Sequence, residues 1–308
     1  MDLELKEDFI ERYRALLGNE YDEFIEYSSK YINKAIRVNT LKIDVNSLVE
    51  RLSASWDLIP VPWCSEGFWI KHKTKDRFDI GNIPEHQLGY FYVQDPASML
   101  PPLALDPLPG SKALDLCSAP GSKTSQIAAM MKNEGLLVAN DSDGKRLSAL
   151  GINLQRLGVT NAMITKMRGE SIKERDLYDY ILVDGPCSGT GTIRRNYKIL
   201  RSYSYGLVSR MAKIQLSLLS NAYELLRPGG YLVYSTCTLE PEENEGVVSN
   251  FLERFDAKLL DLNLNLNRAK PVFEFEGTKF HKDVDKCIRI NPQSNDTEGF
   301  FVAKFQKK

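Results

Sequence analysis

ALDLCSAPGSKTSQIAAMMKNEGLLVAND, residues 113–141, decides the fold. It opens on a short apolar run (113–117) and passes through a turn of small residues containing Pro120 and Gly121. A helical pattern then runs through Asn133. A second apolar run, 136–141, ends in Asp141. Strand, turn, helix and strand in that order form the repeating unit of a parallel sheet. The alternation continues downstream. AMITK (162–166), YDYILVDG (178–185) and YLVYSTC (231–237) predict three further strands. One intervening helix carries Leu147, Leu150, Leu154 and Leu157 on a single face. A longer one carries Met211, Ile214, Leu218, Ala222 and Leu225, and a helix stop and turn follow at Arg227-Pro228-Gly229-Gly230. Continuous apolar strands between helices predict an α/β sheet covered on both faces.

Upstream of that sheet the pattern is different. Leu5, Phe9, Tyr13 and Leu16 recur at helical spacing, and short strand-like pieces follow at AIRVNTLKI (35–43) and GFWIKH (67–72). The turn cluster PLPG (107–110) predicts a boundary, giving an N-terminal α+β domain over 1–107 and a larger domain over 108–308. The tail CIRINP (287–292) and GFFVAKFQ (299–306) reads as a terminal antiparallel pair.

With 308 residues, 43% apolar and 26% charged, the chain has the composition of a globular protein rather than a disordered or disulfide-stapled one. Forty basic against 41 acidic side chains give a net charge of −1, so a polyanion would have to bind a local patch. The amphipathic start MDLELKEDFIERYR has no apolar core of signal-peptide length, and no later run is long enough for a membrane span. The five cysteines (Cys64, Cys117, Cys187, Cys237, Cys287) never form CxxC, which argues against a zinc site or a disulfide framework. A reduced, cytoplasmic and monomeric protein without metal is the expectation.

Ligands of open α/β sheets bind beyond the carboxyl ends of the strands. There the first strand runs into Cys117-Ser118-Ala119-Pro120-Gly121-Ser122-Lys123, whose small residues allow close backbone approach. This loop is neither GxGxxG nor GxxxxGK[ST], so the pyrophosphate cradles of dinucleotides and nucleoside triphosphates are absent. Asp141, about 20 residues on, stands where an acid commonly accepts hydrogen bonds from ribose hydroxyls. A nucleoside without phosphates points to S-adenosyl-L-methionine. The plainer alternative is a strand–turn–helix with a solvated aspartate.

Two further strand ends carry cysteine: Asp184-Gly185-Pro186-Cys187-Ser188-Gly189 and Ser235-Thr236-Cys237-Thr238. A lone free cysteine is most often core packing, but two facing one ligand crevice point to thiolate chemistry. A thiol beside a methyl donor suits methylation at carbon 5 of a pyrimidine. Addition of a thiolate at carbon 6 makes carbon 5 nucleophilic, and loss of the carbon 5 proton with expulsion of the thiol restores the ring. Asp184 is the candidate for stabilising the adduct near N3 and the exocyclic amine, with Lys123 as its charge partner.

These stretches resemble the RNA cytosine-5 methyltransferase family. The resemblance lies in APGSKT (119–124), DGPCSGTGTIRRN (184–196), RPGGYLVYSTCTLEPEENE (227–245), IRVNTLK (36–42), PWCSEGFW (62–69) and YFYVQDPASML (90–100). It implies a Rossmann-like methyltransferase domain behind a smaller RNA-recognition-like domain. It also implies that Cys237 is the nucleophile and that Cys187 assists release of the methylated product. Cofactor contacts carried over by the resemblance are Cys117, Ser118, Ala119, Pro120, Gly121, Ser122, Lys123, Asp141 and Asp184. One family feature departs: where Asp-Gly-Arg is usual after the third strand, this chain has Arg168-Gly169-Glu170, which bears on the adenine end of the cofactor site. The PWC…GFW pattern is similar to bacterial rRNA methyltransferase F and to short archaeal tRNA enzymes, and the length of the chain favours tRNA over rRNA as the substrate.

A local basic patch fits an RNA partner. Between Gly185 and Tyr223 there is no acid, whereas Arg194, Arg195, Lys198, Arg201, Arg210 and Lys213 alternate with Tyr197, Tyr203 and Tyr205. Tyr203 and Tyr205 are candidates for stacking on an unstacked base. A second acid-free run, 27–43, holds Lys30, Lys34, Arg37 and Lys42. Two rival readings remain. An amine methyltransferase would carry an Asn/Asp-Pro-Pro-aromatic loop instead of Asp-Gly-Pro-Cys. An RNA-binding scaffold without cofactor finds support only in Arg168-Gly169-Glu170.

Overall fold

The computed structural model describes residues 5–74, 79–173 and 175–308. Helices α1 (Glu7–Leu17) and α2 (Tyr21–Ser29) come first. Strand β1 (Ala35–Val38) is shorter than the sequence pattern predicts. Asn39 ends it: its carbonyl accepts from the N–H groups of Lys42 and Ile43, and its amide donates to Gly89 O and Leu157 O, both at 2.8 Å. Helix α3 (Val45–Ser53) follows, capped by the Asp44 carboxylate, which accepts from the Ser47 N–H at 2.9 Å. Strands β2 (Trp56–Val61) and β3 (Cys64–His72), the short helix α4 (Pro84–Gln87) and β4 (Phe91–Val93) complete an antiparallel sheet in the order β2-β3-β1-β4. Its α3 side buries Ile36, Leu48, Leu52, Phe68 and Phe91. From β1, Arg37 reaches Ser125 Oγ at 2.9 Å and ties this sheet to the larger one.

The larger sheet is approached through α5 (Leu100–Leu105). It then runs β5 (Lys112–Asp115), α6 (Ser122–Met130), β6 (Leu136–Asn140), α7 (Gly144–Leu157), β7 (Ala162–Thr165) and β8 (Tyr178–Asp184). The chain continues through α8 (Ile199–Ser202), α9 (Tyr205–Leu225), β9 (Leu226–Thr236), α10 (Glu245–Arg254) and β10 (Ala257–Leu260). A two-residue hairpin, β11 (Glu274–Phe275) and β12 (Thr278–Lys279), precedes β13 (Ile288–Ile290), α11 (Pro292–Asn295) and β14 (Phe300–Lys307). The strand order is β10-β14-β9-β8-β5-β6-β7, with β13 paired to β14. Strands β5 to β9 are parallel, as the alternating pattern predicts.

One face packs Leu100, Leu105, Ile127 and Met131 of α5, α6 and the turn after α6 against Leu137, Leu182 and Val233. The other packs Leu218 and Leu225 of α9 and Val248 and Phe251 of α10 against Ile181, Leu232 and Phe301. Each fully buried side chain of this kind contributes roughly 1.5–3 kcal/mol. From β5 the chain goes to one side for β6 and β7, then crosses back to the other for β8 and β9. The crevice of a doubly wound sheet therefore opens between the ends of β5 and β8.

Two features differ from the sequence pattern. Arg227-Pro228-Gly229-Gly230 stops α9 as expected, but the turn is absorbed as a bulge inside β9. Tyr178 faces Leu226 across the ladder and Tyr180 faces Tyr231, with Gly229 at φ +76°. The tail does form the antiparallel pair β13–β14, yet β14 also inserts antiparallel between β9 and β10, with Phe301 opposite Thr236. Among the described residues no helix is long and apolar enough to cross a membrane.

Helices α1 and α2 do not pack on the small sheet. Phe9, Tyr13, Tyr21 and Phe24 cluster with Ile193, Leu200, Tyr203, Val208 and Leu239, the segments that follow the two crevice cysteines.

Candidate active site

The loop after β5 is built by short polar contacts. Thr124 Oγ1 donates to Asp115 Oδ2 at 2.7 Å and Ser118 Oγ to Asn140 O at 2.9 Å. Gly121, at φ +103°, caps α6 in a conformation that favours glycine, and a Cβ there would sit 3.0 Å from Leu150 Cδ1. The Asp141 carboxylate accepts from the N–H groups of Ala119 (3.1 Å) and Asp143 (2.9 Å), with Arg146 Nη1 at 3.4 Å. Asp141 thus holds the loop and also edges the crevice.

Across the crevice, β8 ends on Asp184. Its Oδ2 takes Lys123 Nζ at 2.7 Å and its Oδ1 accepts from Ser235 Oγ at 2.7 Å, while Lys123 also donates to Ser98 Oγ at 3.0 Å. Burial works against the Lys123 ammonium, but the Asp184 carboxylate outweighs it and holds the pKa above the ordinary lysine value. Cys237 is among the groups whose charge acts on Lys123 in the same direction.

Cys187 and Cys237 meet, Sγ to Sγ, at 3.2 Å as free thiols. Their loops are zipped together by Ser188 Oγ–Thr238 Oγ1 (2.7 Å), Thr190 Oγ1–Thr238 Oγ1 (2.9 Å) and Gly191 N–Cys237 O (3.0 Å). Gly191 has to be glycine, since a Cβ there would lie 2.3 Å from Gly299 O and 2.8 Å from Cys237 O. The hydrogen bond to Cys237, burial and the nearby Glu243 carboxylate push the Cys187 thiol well above the ordinary cysteine range. Burial, with Asp115, Asp184 and Asp141 adding to it, also pushes Cys117 up, which leaves it a poor nucleophile. Cys64 and Cys287 are buried in the core.

A cleft of about 590 Å³ joins these parts. Cys117, Ala119, Asp141 and Arg146 line it from the β5–β6 side, Arg168 and Glu170 from beyond β7, and Asp184, Cys187 and Cys237 from the other side. Of the residues the sequence singles out, Ser118 turns inward and Gly121 faces Leu150. Lys123 acts through Asp184, and Pro120 and Ser122 shape the entry to α6 without lining the cleft. Glu170 accepts from Arg168 at 2.6 Å, so both charges of the departing Arg168-Gly169-Glu170 stretch stand at the cleft wall.

The basic run is less available than its composition implies. The Arg194 side chain is only 2% exposed; it pairs with Asp296 at 3.0 Å and stacks on the Tyr27 ring at 4.2 Å. Tyr203 is 3% exposed in the α1 cluster, so it cannot stack on a base, contrary to expectation, whereas Tyr205 is 60% exposed. Arg195, Lys198, Arg201, Arg210 and Lys213 remain exposed. In the 27–43 run, Arg37 is buried and Lys42 donates to Leu88 O and Arg156 O. The motifs gave no sign of Ser98, Ser235, Arg12, Gln215 or Glu243 as site residues. Ser98, Ser235 and Glu243 lie within quoted motifs, and Arg12 and Gln215 act only through long-range contacts.

Asp115 beneath the loop makes a pH test. It is buried, and its Oδ1 has no hydrogen-bond partner among the described residues. Burial raises its pKa to about 7, against about 3.9 for an unfolded aspartate. At this group the folded protein then holds one more proton between those values, so the Asp115 contribution to stability falls as pH rises from ~4 to ~7 and is level above. Asp115→Asn removes this loss. Denaturant melts at pH 4.5 and pH 8 are expected to show little difference between variant and parent at the lower pH, and a variant more stable by a few kcal/mol, order of magnitude, at the higher.

The comparisons with known proteins identify the family. The family model described as 16S rRNA methyltransferase RsmB/F matches residues 102–306, and the model for the N-terminal domain of 16S rRNA methyltransferase RsmF matches residues 5–96. This chain belongs to the RsmB/F methyltransferase family. A tRNA (cytosine(49)-C(5))-methyltransferase of Pyrococcus abyssi is 42% identical over 99% of both chains. Ribosomal RNA small subunit methyltransferase F of Aeromonas hydrophila is 41% identical over 93% of this chain, which spans 60% of that enzyme's length. The crystal structure of a methyltransferase homologue from Pyrococcus horikoshii superposes with a TM-score of 0.87 at 38% identity, covering 99% of this chain and 96% of that one. The resemblance read from the motifs is therefore correct at the level of the RsmB/F family, with its methyltransferase domain and its N-terminal domain both present. Among the described residues no cluster of His, Cys, Asp and Glu is arranged to hold a metal.

Proposed function

We propose that this RsmB/F methyltransferase is a cytoplasmic S-adenosylmethionine-dependent RNA cytosine-5 methyltransferase acting on tRNA, with Cys237 as nucleophile. The observation that carries this is the meeting of two thiols, 3.2 Å apart, on the wall of a cleft that Asp184, paired with Lys123, also lines. The residues fit the cofactor: the cleft has the volume of a small-molecule site, a small-residue loop forms one wall, and the Asp141 carboxylate edges it. S-adenosylmethionine, when bound, supplies an electrophilic methyl carbon.

The chain's own residues do the rest. Cys237 Sγ adds to carbon 6 of the base, and the electron pair moves toward carbon 5. Asp184, fixed from both sides by Lys123 and Ser235, stabilises the adduct at N3 and the exocyclic amine. After methyl transfer the carbon 5 proton passes to solvent water, the ring double bond reforms and Cys237 leaves as thiolate, assisted by a hydrogen bond from the Cys187 thiol. The hydrogen bond to Cys237, burial and the nearby Glu243 hold the Cys187 thiol well above the ordinary cysteine range, which fits a group that assists as a protonated thiol.

Residues 1–107 are proposed as the RNA-binding part and 108–308 as the catalytic part. The tRNA assignment rests on the tRNA relative, whose similarity runs through its whole length. Incubation of unmodified tRNA and 16S rRNA with the enzyme and methyl donor, followed by bisulfite sequencing, tests it. One protected cytosine in tRNA is expected. Protection only in rRNA overturns the substrate, and methylation without protection overturns carbon 5 as the target.

Two quantitative expectations follow from the cleft and the patch. Glu170 stands in the wall where the family's usual acid is displaced, so Glu170→Ala should weaken cofactor binding about tenfold, the scale of one charged hydrogen bond. Calorimetric titration reads this directly, and an unchanged dissociation constant removes Glu170 from the site. The five exposed cations from Arg195 to Lys213 set RNA affinity, so its log–log salt dependence should have a slope of roughly −3 to −5. A slope near zero contradicts the patch.

A further inference from the structure

The main chain on both sides of Cys187 is held by two buried side chains that are bonded to each other. Gln215, in the middle of α9, sends Nε2 to Pro186 O and to Glu243 Oε2, both at 2.8 Å. Glu243 Oε2 in turn accepts from the Ser188 N–H at 3.0 Å. The carbonyl before Cys187 and the amide after it therefore end on one Gln–Glu pair. Both residues are buried, and neither lines the cleft. The fit is close: a Cβ on Gly185 would lie 3.2 Å from Gln215 Cγ.

Glu243 also belongs to the segment that follows Cys237, and the Tyr234 hydroxyl on β9 anchors that segment by donating to Glu243 O at 2.5 Å. One cradle thus joins the Cys187 loop to the strand carrying Cys237 and to α9. Fixing the backbone on either side of a side chain is how its position is kept within the fraction of an ångström that proton transfer and elimination require.

We propose that Gln215 and Glu243 are positioning residues for Cys187 and set the rate at which methylated RNA leaves the enzyme. This rests on the reading of Cys187 as the release residue. A loosened cradle leaves Cys237 free to attack but misplaces the thiol that assists its departure, so the defect falls after methyl transfer.

Gln215→Leu and Glu243→Leu test it in the full chain with unmodified tRNA and labelled S-adenosylmethionine, with Cys187→Ala as control. Single-turnover methyl incorporation is expected within about threefold of the parent, multiple turnover at least tenfold slower, and a covalent protein–RNA band on a denaturing gel. Should either leucine variant fail to fold in a thermal melt, the near-isosteric Gln215→Met, which removes the amide donor, carries the test. If Cys187→Ala traps the adduct while the folded cradle variants lose single and multiple turnover equally and show no band, the pair is merely structural and the inference fails. If Cys187→Ala itself traps nothing, the underlying reading fails instead.

Discussion

Cys237→Ala is expected to lower turnover by on the order of 10⁴-fold or more, because it removes the sulfur proposed to bond to carbon 6. Three of the other cysteines are poorly placed for that role. Cys117 is held up by burial and three carboxylates, and Cys64 and Cys287 are buried in the core. Cys187→Ala is expected to behave in the opposite way: attack and methyl transfer proceed, release stalls, and protein migrates with RNA through a denaturing gel. Because the two sulfurs lie 3.2 Å apart, the two variants probe one site and differ only in which thiol is lost. A band from Cys237→Ala and none from Cys187→Ala would reverse the assignment.

Arg12→Ala is expected to have the largest effect on stability, though Arg12 is far in sequence from either cysteine. Its guanidinium meets Glu240 at 2.9 Å, Glu242 at 2.5 Å and Glu276 at 2.6 Å, and neighbouring Tyr13 donates to Glu240 at 2.7 Å. Burial works against the cation, but Glu240 and Glu242 hold its pKa above the ordinary arginine value. Burial, only partly offset by Arg12 and Tyr13, raises Glu240. Removing the cation leaves a fully buried carboxylate uncompensated, which costs roughly 3–5 kcal/mol. Glu240 lies three residues after Cys237, so kcat should also fall, by about 10- to 100-fold. Denaturant unfolding and steady-state kinetics of Arg12→Ala and Arg12→Lys check this. Lysine restores the charge without the fork and should recover only part of either loss. Parent-like stability in Arg12→Ala contradicts the clamp.

The catalytic sheet was legible because its signal is local. Strands β5 to β8 lie within two residues of their apolar runs, and the loops at 117–123 and 184–189 follow directly from strand ends. What stayed hidden depends on contacts between distant segments. The spacing of Phe9 and Tyr13 says that α1 buries a face, but not that it buries it on Tyr203 and Leu239. That docking removes Tyr203 from the surface, and Asp296 with Tyr27 similarly removes Arg194. Both residues look like RNA contacts in a run without acids, and their partners lie on elements 100 or more residues away. Period-2 patterning predicts that β14 pairs, but not that it slots between β9 and β10. Gln215 follows Ile214 on an apolar helix, and only the fold reveals that its amide spans Pro186 and Glu243.

Covalent attack by Cys237 is tested most directly with tRNA carrying 5-fluorocytosine. Fluorine on carbon 5 cannot depart as a proton does, so the adduct persists after methyl transfer. Digestion and mass spectrometry of the trapped complex should find the methylated nucleotide on the peptide containing Cys237. Finding it on the Cys187 peptide, or finding the RNA methylated at cytosine with no bond to the protein, would contradict the account.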